Sequence, residues 1–113
     1  MASSDRVRED LKLTVRVEQD GEELLVRAFG ELNLYNAKTL DEELRRAIEL
    51  DAGGVVLDLG EVTFIDSAGL RLLLLMSKYS LRNGGRLCLL RGSDPVDHAI
   101  EAAGLEDALP LAD

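Results

Sequence analysis

The sequence predicts a single α/β domain with a mixed sheet of four to five strands and helices packed on that sheet. Three observations lead to this fold class. Residues 55–90 follow a strand, helix, strand pattern, and residues 11–30 alternate as a β-hairpin does. The chain has 113 residues, which suits one domain with a real core.

The N-terminal part divides at residue 11. Residues 1–10 are polar and have no apolar period, so they are predicted to be a flexible tail, with the domain over residues 11–113. From Leu11 to Val17 apolar and polar residues alternate, Asp20-Gly21 indicates a turn, and "LLVRAFG" resumes the apolar pattern. This segment is predicted to form a β-hairpin.

A helix is predicted over residues 37–50, "AKTLDEELRRAIEL". Leu40, Leu44, Ala47 and Ile48 recur at helical spacing, and Gly53-Gly54 ends the helix. Its start is open between Asn36 as N-cap and a capping box formed by Thr39 with Glu42.

A βαβ unit is predicted next. "VVLDL" at residues 55–59 is typical of a buried strand, whereas "GEVTFID" at residues 60–66 is expected to be a connection. A helix over Ala68 to Arg82 ends at Asn83-Gly84-Gly85, and "RLCLL" forms a second strand. The two strands should be parallel.

A last short helix is capped by Ser93 or Asp94 and ends before Gly104. Its inward residues are expected to be Val96, Ile100 and Ala103. The tail "LEDALPLAD" has room for one short strand, which Pro110 restricts to an edge of the sheet.

Composition excludes several classes of protein. The net charge of -9 and an aromatic content of 4% argue against a nucleic-acid partner. Cys88 is the only cysteine, so no internal disulfide or cysteine metal cluster is possible, and a reducing cytoplasm is expected. No apolar run is long enough to span a membrane, and the N-terminus does not have the pattern of an export signal.

Catalytic signatures are also missing. The frame Ile65-Asp66-Ser67-Ala68-Gly69 lacks the first glycine of a nucleophile elbow, and His98 is the only histidine and lies off the apolar face of its helix. No phosphate-binding glycine loop is present. The acidic clusters Asp41-Glu42-Glu43 and Glu106-Asp107 are expected to be solvated and lack metal-site spacing. The sequence therefore predicts a protein that is not an enzyme, with no cofactor and no metal.

Ser67 is a candidate functional residue because it lies between a buried strand and a helix. A helix N-terminus has unpaired N–H groups and a partial positive charge, so it can hold a phosphorylated serine. The alternative is that Asp66 or Ser67 serves only as the N-cap. Local physics alone favours the cap.

The segment "VVLDLGEVTFIDSAGLRLLL" closely resembles the phosphorylation-site segment of bacterial anti-sigma-factor antagonists, the STAS-domain proteins of partner-switching systems. "VRAFGELNLYNAKTLDEEL" and "GGRLCLLRGSDPVDHAIEAAGLEDAL" resemble other parts of the same family. The resemblance implies that an anti-sigma factor with serine-kinase activity phosphorylates Ser67. That partner brings the ATP. Asp66 would be the adjacent motif acid and Gly69 the residue that keeps the helix start accessible.

In the scheme that the resemblance implies, the unphosphorylated antagonist binds the anti-sigma factor and frees a sigma factor. Phosphorylation ends the complex, and a metal-dependent serine phosphatase resets it. Asn33 departs from the family, which often has an aspartate there, and this departure bears on how readily Ser67 is phosphorylated. A structural STAS subunit of a sensory scaffold or transporter-associated complex is the alternative function.

The helix after Ser67 is predicted to have two opposite apolar stripes, one formed by Leu70, Leu73, Leu74, Ser77 and Leu81, and one formed by Leu72, Leu75, Met76 and Tyr79. The second face either packs on another helix of the domain or forms a docking surface. A monomer or weak homodimer is expected. The predicted partner-binding residues are Asp66, Ser67, Ala68, Gly69, Asn33, Leu72 and Met76.

Overall fold

The computed structural model describes residues 5–50 and 53–112. Within these ranges it contains six strands and three helices. In chain order they are β1 (Arg6–Asp10), β2 (Leu13–Asp20), β3 (Glu23–Leu32), α1 (Ala37–Leu50), β4 (Val55–Ile65), α2 (Ser67–Arg82), β5 (Leu87–Leu90), α3 (Asp94–Ala102) and β6 (Leu111–Ala112). None of these helices is long and apolar enough to cross a membrane.

One six-stranded mixed sheet runs through the domain in the order β1-β2-β3-β4-β5-β6. The first three strands pair antiparallel, and β3 to β6 pair parallel, so the predicted hairpin and βαβ unit are both confirmed. In β2 buried residues alternate with more exposed ones, which places its apolar face toward the core. The same core includes the inward faces of α1 and α2.

The predicted helix α1 is present, and its start, which the sequence left open, lies at Ala37. Its apolar residues at helical spacing, Leu40, Leu44, Ala47 and Ile48, are buried. Thr39 does not form the proposed capping box, because its hydroxyl group donates a hydrogen bond of 2.8 Å to the Asp10 carboxylate in β1. Asn36 directly precedes the helix, and its side chain makes hydrogen bonds to the backbone of Leu11, Glu31 and Asn33.

The predicted connection at residues 60–66 is wrong. Residues 60–65 continue β4, which is eleven residues long. Val62 and Ile65 are buried and pair with Gly30 and Leu32 near the end of β3, after one and two register shifts along the β3–β4 pair. Gly60 N donates to the Asp58 side chain at 2.9 Å. This local irregularity interrupts the alternation of apolar residues, while the long partner strand β3 keeps the backbone paired.

The predicted strand count of four to five is also wrong, and residues 6–10 of the expected flexible tail form the strand β1. None of the β1 side chains is buried, so the strand has no apolar pattern for sequence reasoning to find. Ion pairs attach it to α1. Arg6 and Arg8 each contact the Glu43 carboxylate, at 3.0 and 3.1 Å.

Glu43 was expected on a solvated surface, yet its side chain is only 2% exposed. Burial acts to raise the pKa of this carboxyl group, but hydrogen bonds and positive charge from Arg6 and Arg8 outweigh burial and lower the pKa. The buried carboxylate is therefore kept charged by two arginines from a different element.

The C-terminal part follows the prediction with one exception. Val96 and Ile100 of α3 are fully buried, whereas Ala103 lies beyond the helix and is exposed, so its predicted inward position is wrong. Ser93, one of the two predicted caps, is the N-cap residue of α3, but its hydroxyl group donates to the Val62 carbonyl oxygen and makes no capping hydrogen bond. The short strand β6 is the predicted edge strand and pairs with β5.

Candidate functional site

The candidate site lies where the parallel strands β3 and β4 end side by side. Leu32 and Ile65 are register partners at these ends, and the Asp66 backbone N–H donates to the Leu32 carbonyl oxygen at 3.2 Å. The loop of residues 33–36 follows β3, and α2 follows β4 after one residue. The carboxyl ends of parallel strands are a common place for binding sites in open α/β sheets.

Asp66 is the N-cap of α2. Its backbone is extended, with φ −106° and ψ −174°, and its carboxylate Oδ1 accepts a hydrogen bond of 3.0 Å from Gly69 N. The other oxygen, Oδ2, accepts from Leu34 N at 3.1 Å. One carboxylate thus satisfies a free N–H group of the helix and also holds the loop after β3.

Ser67 is the first residue of α2 and is exposed. Its hydroxyl group makes no hydrogen bond to any residue within the described ranges 5–50 and 53–112. Between the two cap candidates, the structure therefore selects Asp66. The Ser67 side chain is left facing solvent at the positive end of a sixteen-residue helix.

Gly69 allows α2 to begin very close to the sheet. The residue is buried, and a Cβ atom added to it would lie 2.6 Å from Ile65 Cγ1 and 3.0 Å from Leu32 Cγ. Both distances are shorter than ordinary carbon contacts, so a side chain at this position would push the helix start away from the strand ends. Ala68, beside it, is partly exposed.

Asn33 shapes the loop opposite Ser67. Its side-chain oxygen accepts a hydrogen bond of 2.9 Å from Tyr35 N, and its own N–H donates to Asn36 Oδ1 at 2.9 Å. An aspartate could accept the same bond from Tyr35 N while adding a negative charge. The amide in this chain therefore keeps the turn and leaves the site less acidic.

Asn36 joins three separate pieces of backbone. It is fully buried, and its amide Nδ2 donates to the carbonyl oxygens of Leu11, at 2.8 Å, and Glu31, at 2.9 Å. These bonds fix the loop after β3 against the turn between β1 and β2. Sequence reasoning considered Asn36 only as a helix cap and missed this role.

Three large apolar side chains near this site are exposed and were also missed. Leu34 is 69%, Tyr35 77% and Phe64 48% exposed. The Leu34 backbone N–H donates to the Asp66 carboxylate, so Leu34 and its neighbour Tyr35 flank the start of α2, whereas Phe64 precedes Ile65 in β4 and lies on the opposite face of that strand. We call Leu34 and Tyr35 the apolar rim.

Leu72 and Met76 do not belong to this surface. Their side chains are 4% and 0% exposed, because the second apolar face of α2 lies against α1 and the core. Tyr79, farther along that face, packs under Arg45 of α1 with the guanidinium carbon 4.6 Å from the ring centre. The prediction that Leu72 and Met76 take part in docking is corrected, and only Leu75 of this face is substantially exposed.

The remaining candidates for chemistry are scattered. His98 is exposed on α3, and Cys88 is a partly buried free thiol on β5. Among the described residues, no group of three or more histidine, cysteine or carboxylate side chains could hold a metal ion. The arrangement at Ser67 thus provides an exposed hydroxyl group, a helix start and an apolar rim, which is suited to modification and binding.

A family model described as the STAS domain matches residues 14–113. The chain belongs to the STAS domain family. Among its relatives, BtrV of Bordetella bronchiseptica is 36% identical over 83 residues, which cover 74% of this chain and 72% of BtrV. An anti-sigma F factor antagonist of Paenibacillus polymyxa is 27% identical over 104 residues, covering 91% of this chain and 89% of the relative.

A solved structure has the same fold. The crystal structure of an anti-sigma factor antagonist from Mycobacterium paratuberculosis superposes with a TM-score of 0.78 and 22% sequence identity, covering 88% of this chain and 84% of that one. At this identity the likeness extends to the fold alone. The predicted family and single-domain α/β architecture are confirmed.

Proposed function

We propose that this STAS domain is an anti-sigma-factor antagonist switched by phosphorylation of Ser67. The unphosphorylated form binds an anti-sigma factor that is a serine kinase, and this binding releases a sigma factor in the bacterial cytoplasm. The single observation that carries the proposal is the exposed Ser67 hydroxyl group at the start of α2, beside an Asp66 that already caps the helix. The antagonist name of the Paenibacillus relative supports the same function.

A phosphate on Ser67 is compatible with the fold. The unmodified hydroxyl group has no hydrogen bond to the described residues that phosphorylation would break, and the helix start favours negative charge by about 0.3–1 kcal/mol. The modification adds a charge of about −1.5 to −2 at neutral pH. It therefore changes the surface that a partner meets and leaves the core contacts of α2 in place.

The apolar rim gives that surface its binding energy. Exposed aromatic and aliphatic side chains that become buried in an interface dominate its affinity. A phosphate group among them weakens binding, because its charge would lose its contact with water when the interface forms. Phosphorylation of Ser67 therefore ends the complex. In this scheme ATP belongs to the kinase, a metal-dependent serine phosphatase restores the hydroxyl group, and this chain acts as ligand and substrate. The relative's antagonist name does not favour the scaffold or transporter alternative.

The test is to incubate the chain with the serine-kinase anti-sigma factor of the same genome and ATP, followed by intact-mass measurement and peptide mapping. One phosphate on Ser67 is expected. Ser67→Ala should accept none and stay bound to the kinase with ATP present, while Ser67→Asp should fold normally and bind at least tenfold more weakly. A folded Ser67→Asp protein that binds as the unmodified chain does, or a phosphate on another residue, would overturn the switch.

The apolar rim is tested with a matched pair of variants. Tyr35 and Leu81 are almost equally exposed, at 77% and 74%, but Leu81 lies at the other end of α2 from Ser67. Tyr35→Ser is expected to weaken kinase binding at least tenfold, as loss of an interface aromatic does. Leu81→Ser should leave the affinity within twofold. Equal effects of the two variants would show that the rim is not the docking surface.

A further inference from the structure

The turn between β1 and β2 has an unfavourable backbone. It consists of Leu11 and Lys12, with φ values of 44° and 71°. Both values fall in the left-handed region, where two-residue hairpin turns normally place glycine, asparagine or aspartate. A leucine and a lysine at these positions strain the closed turn.

Two hydrogen bonds hold the strained turn in place. Lys12 O accepts from Glu31 N at 2.9 Å, and Leu11 O accepts from the buried Asn36 amide at 2.8 Å. A short hinge that is strained and held closed by its surroundings is a known route by which an end segment exchanges between two copies of a chain.

The strand β1 can leave the domain without opening the core, because none of its side chains is buried. It is attached by five backbone register pairs with β2, by Arg6 and Arg8 on Glu43, and by Asp10 on Thr39. Every one of these contacts is made to a part of the chain after residue 12. A second copy of the chain offers all of them in the same geometry.

We propose that β1 is an exchangeable strap, and that two copies form a dimer in which each β1 pairs with the β2 of its partner. Exchange preserves the strand pairing and the Glu43 ion pairs. It also lets Leu11 and Lys12 become extended, which removes the left-handed strain but gives up the two hydrogen bonds that Lys12 O and Leu11 O accept in the closed turn. Association of two chains costs translational and rotational entropy, so the exchanged dimer is favoured only at high protein concentration.

The test uses a disulfide across the exchanged pair. Val7 and Arg16 are register partners on β1 and β2, and both are exposed. Directly paired strand residues lie within the Cα separation that a disulfide spans. The protein is made with Val7→Cys, Arg16→Cys and Cys88→Ala. It is refolded from urea at several hundred micromolar and at low micromolar concentration, then oxidised and run on a non-reducing gel.

The exchanged dimer predicts chain-to-chain disulfides at high concentration and within-chain disulfides at low concentration. A matched control adds Leu11→Asn and Lys12→Gly, residues that suit the closed turn. It should dimerise at least tenfold more weakly. Light scattering is measured in parallel on the unmodified chain.

Three results would overturn the proposal. One is a monomer at every concentration. Another is a dimer with within-chain disulfides only, which would show that the two chains associate through a surface other than the β1–β2 pair. The third is that the variant with the Asn-Gly turn dimerises as strongly as the chain with the Leu-Lys turn, which would show that strain in the turn does not cause dimerisation.

Discussion

Replacing Asp66 with alanine tests whether the cap and the switch are two different residues. The change removes the hydrogen bond from Gly69 N at 3.0 Å and the bond from Leu34 N at 3.1 Å. Loss of an N-cap costs about 1 kcal/mol, with a range of roughly 0.5–2. The second bond lies on the surface, where water can replace the carboxylate, so it adds less. We expect a total loss of about 1–2 kcal/mol.

The measurement is urea unfolding followed by circular dichroism at neutral pH, with the midpoint and the slope fitted separately. Ser67→Ala is the matched control one residue away. Because its hydroxyl group is exposed and has no bond in the described structure, this variant should stay within about 0.5 kcal/mol of the unmodified chain. Asp66→Asn should lie between the two, since asparagine also caps well but lacks the charge. If Ser67→Ala destabilised the protein as much as Asp66→Ala, the assignment of the cap would be refuted.

Two further predictions concern packing and pH. Gly69→Ala should destabilise the domain by about 1–3 kcal/mol in the same urea assay, because the alanine Cβ would lie 2.6 Å from Ile65 Cγ1. A loss under 0.5 kcal/mol would contradict the close packing of α2 on the strand ends. The lowered pKa of Glu43 stabilises the fold above its unfolded-state pKa, near 4.5, and this contribution is lost as the pH falls through the lower folded-state pKa. The stability difference between the unmodified chain and Glu43→Gln should therefore shrink between pH 6 and pH 3, and a constant difference would exclude the linkage.

Sequence patterns predicted an element correctly where the residues that define it lie within the element itself. The helix α1 was predicted because its apolar period is local, although the sequence left its start open. The strand β1 was missed because no side chain of it is buried and its partner Glu43 lies more than thirty residues away. The second half of β4 was missed because the register shifts that carry it past Gly60 depend on the pairing with β3.

The same distinction applies to the site. "DSAG" between a strand and a helix was enough to select Asp66 and Ser67, but only the hydrogen bond from Gly69 N to Asp66 decides which residue caps the helix. Leu34 and Tyr35 were missed because exposed loop residues follow no period. Leu72 and Met76 were wrongly predicted to take part in docking, because the sequence does not show that α1 packs on their face of α2.

The two hydrogen bonds of the Asp66 carboxylate have a consequence for recognition. They tie together segments that are 32 residues apart in the chain, the backbone at Leu34 and the start of α2. A peptide that contains Ser67 would therefore lack half of the surface that flanks this residue in the folded protein. A partner that binds both segments recognises the folded protein and not the Ser67 sequence alone. Unfolded or truncated copies of the chain would therefore not compete for that partner.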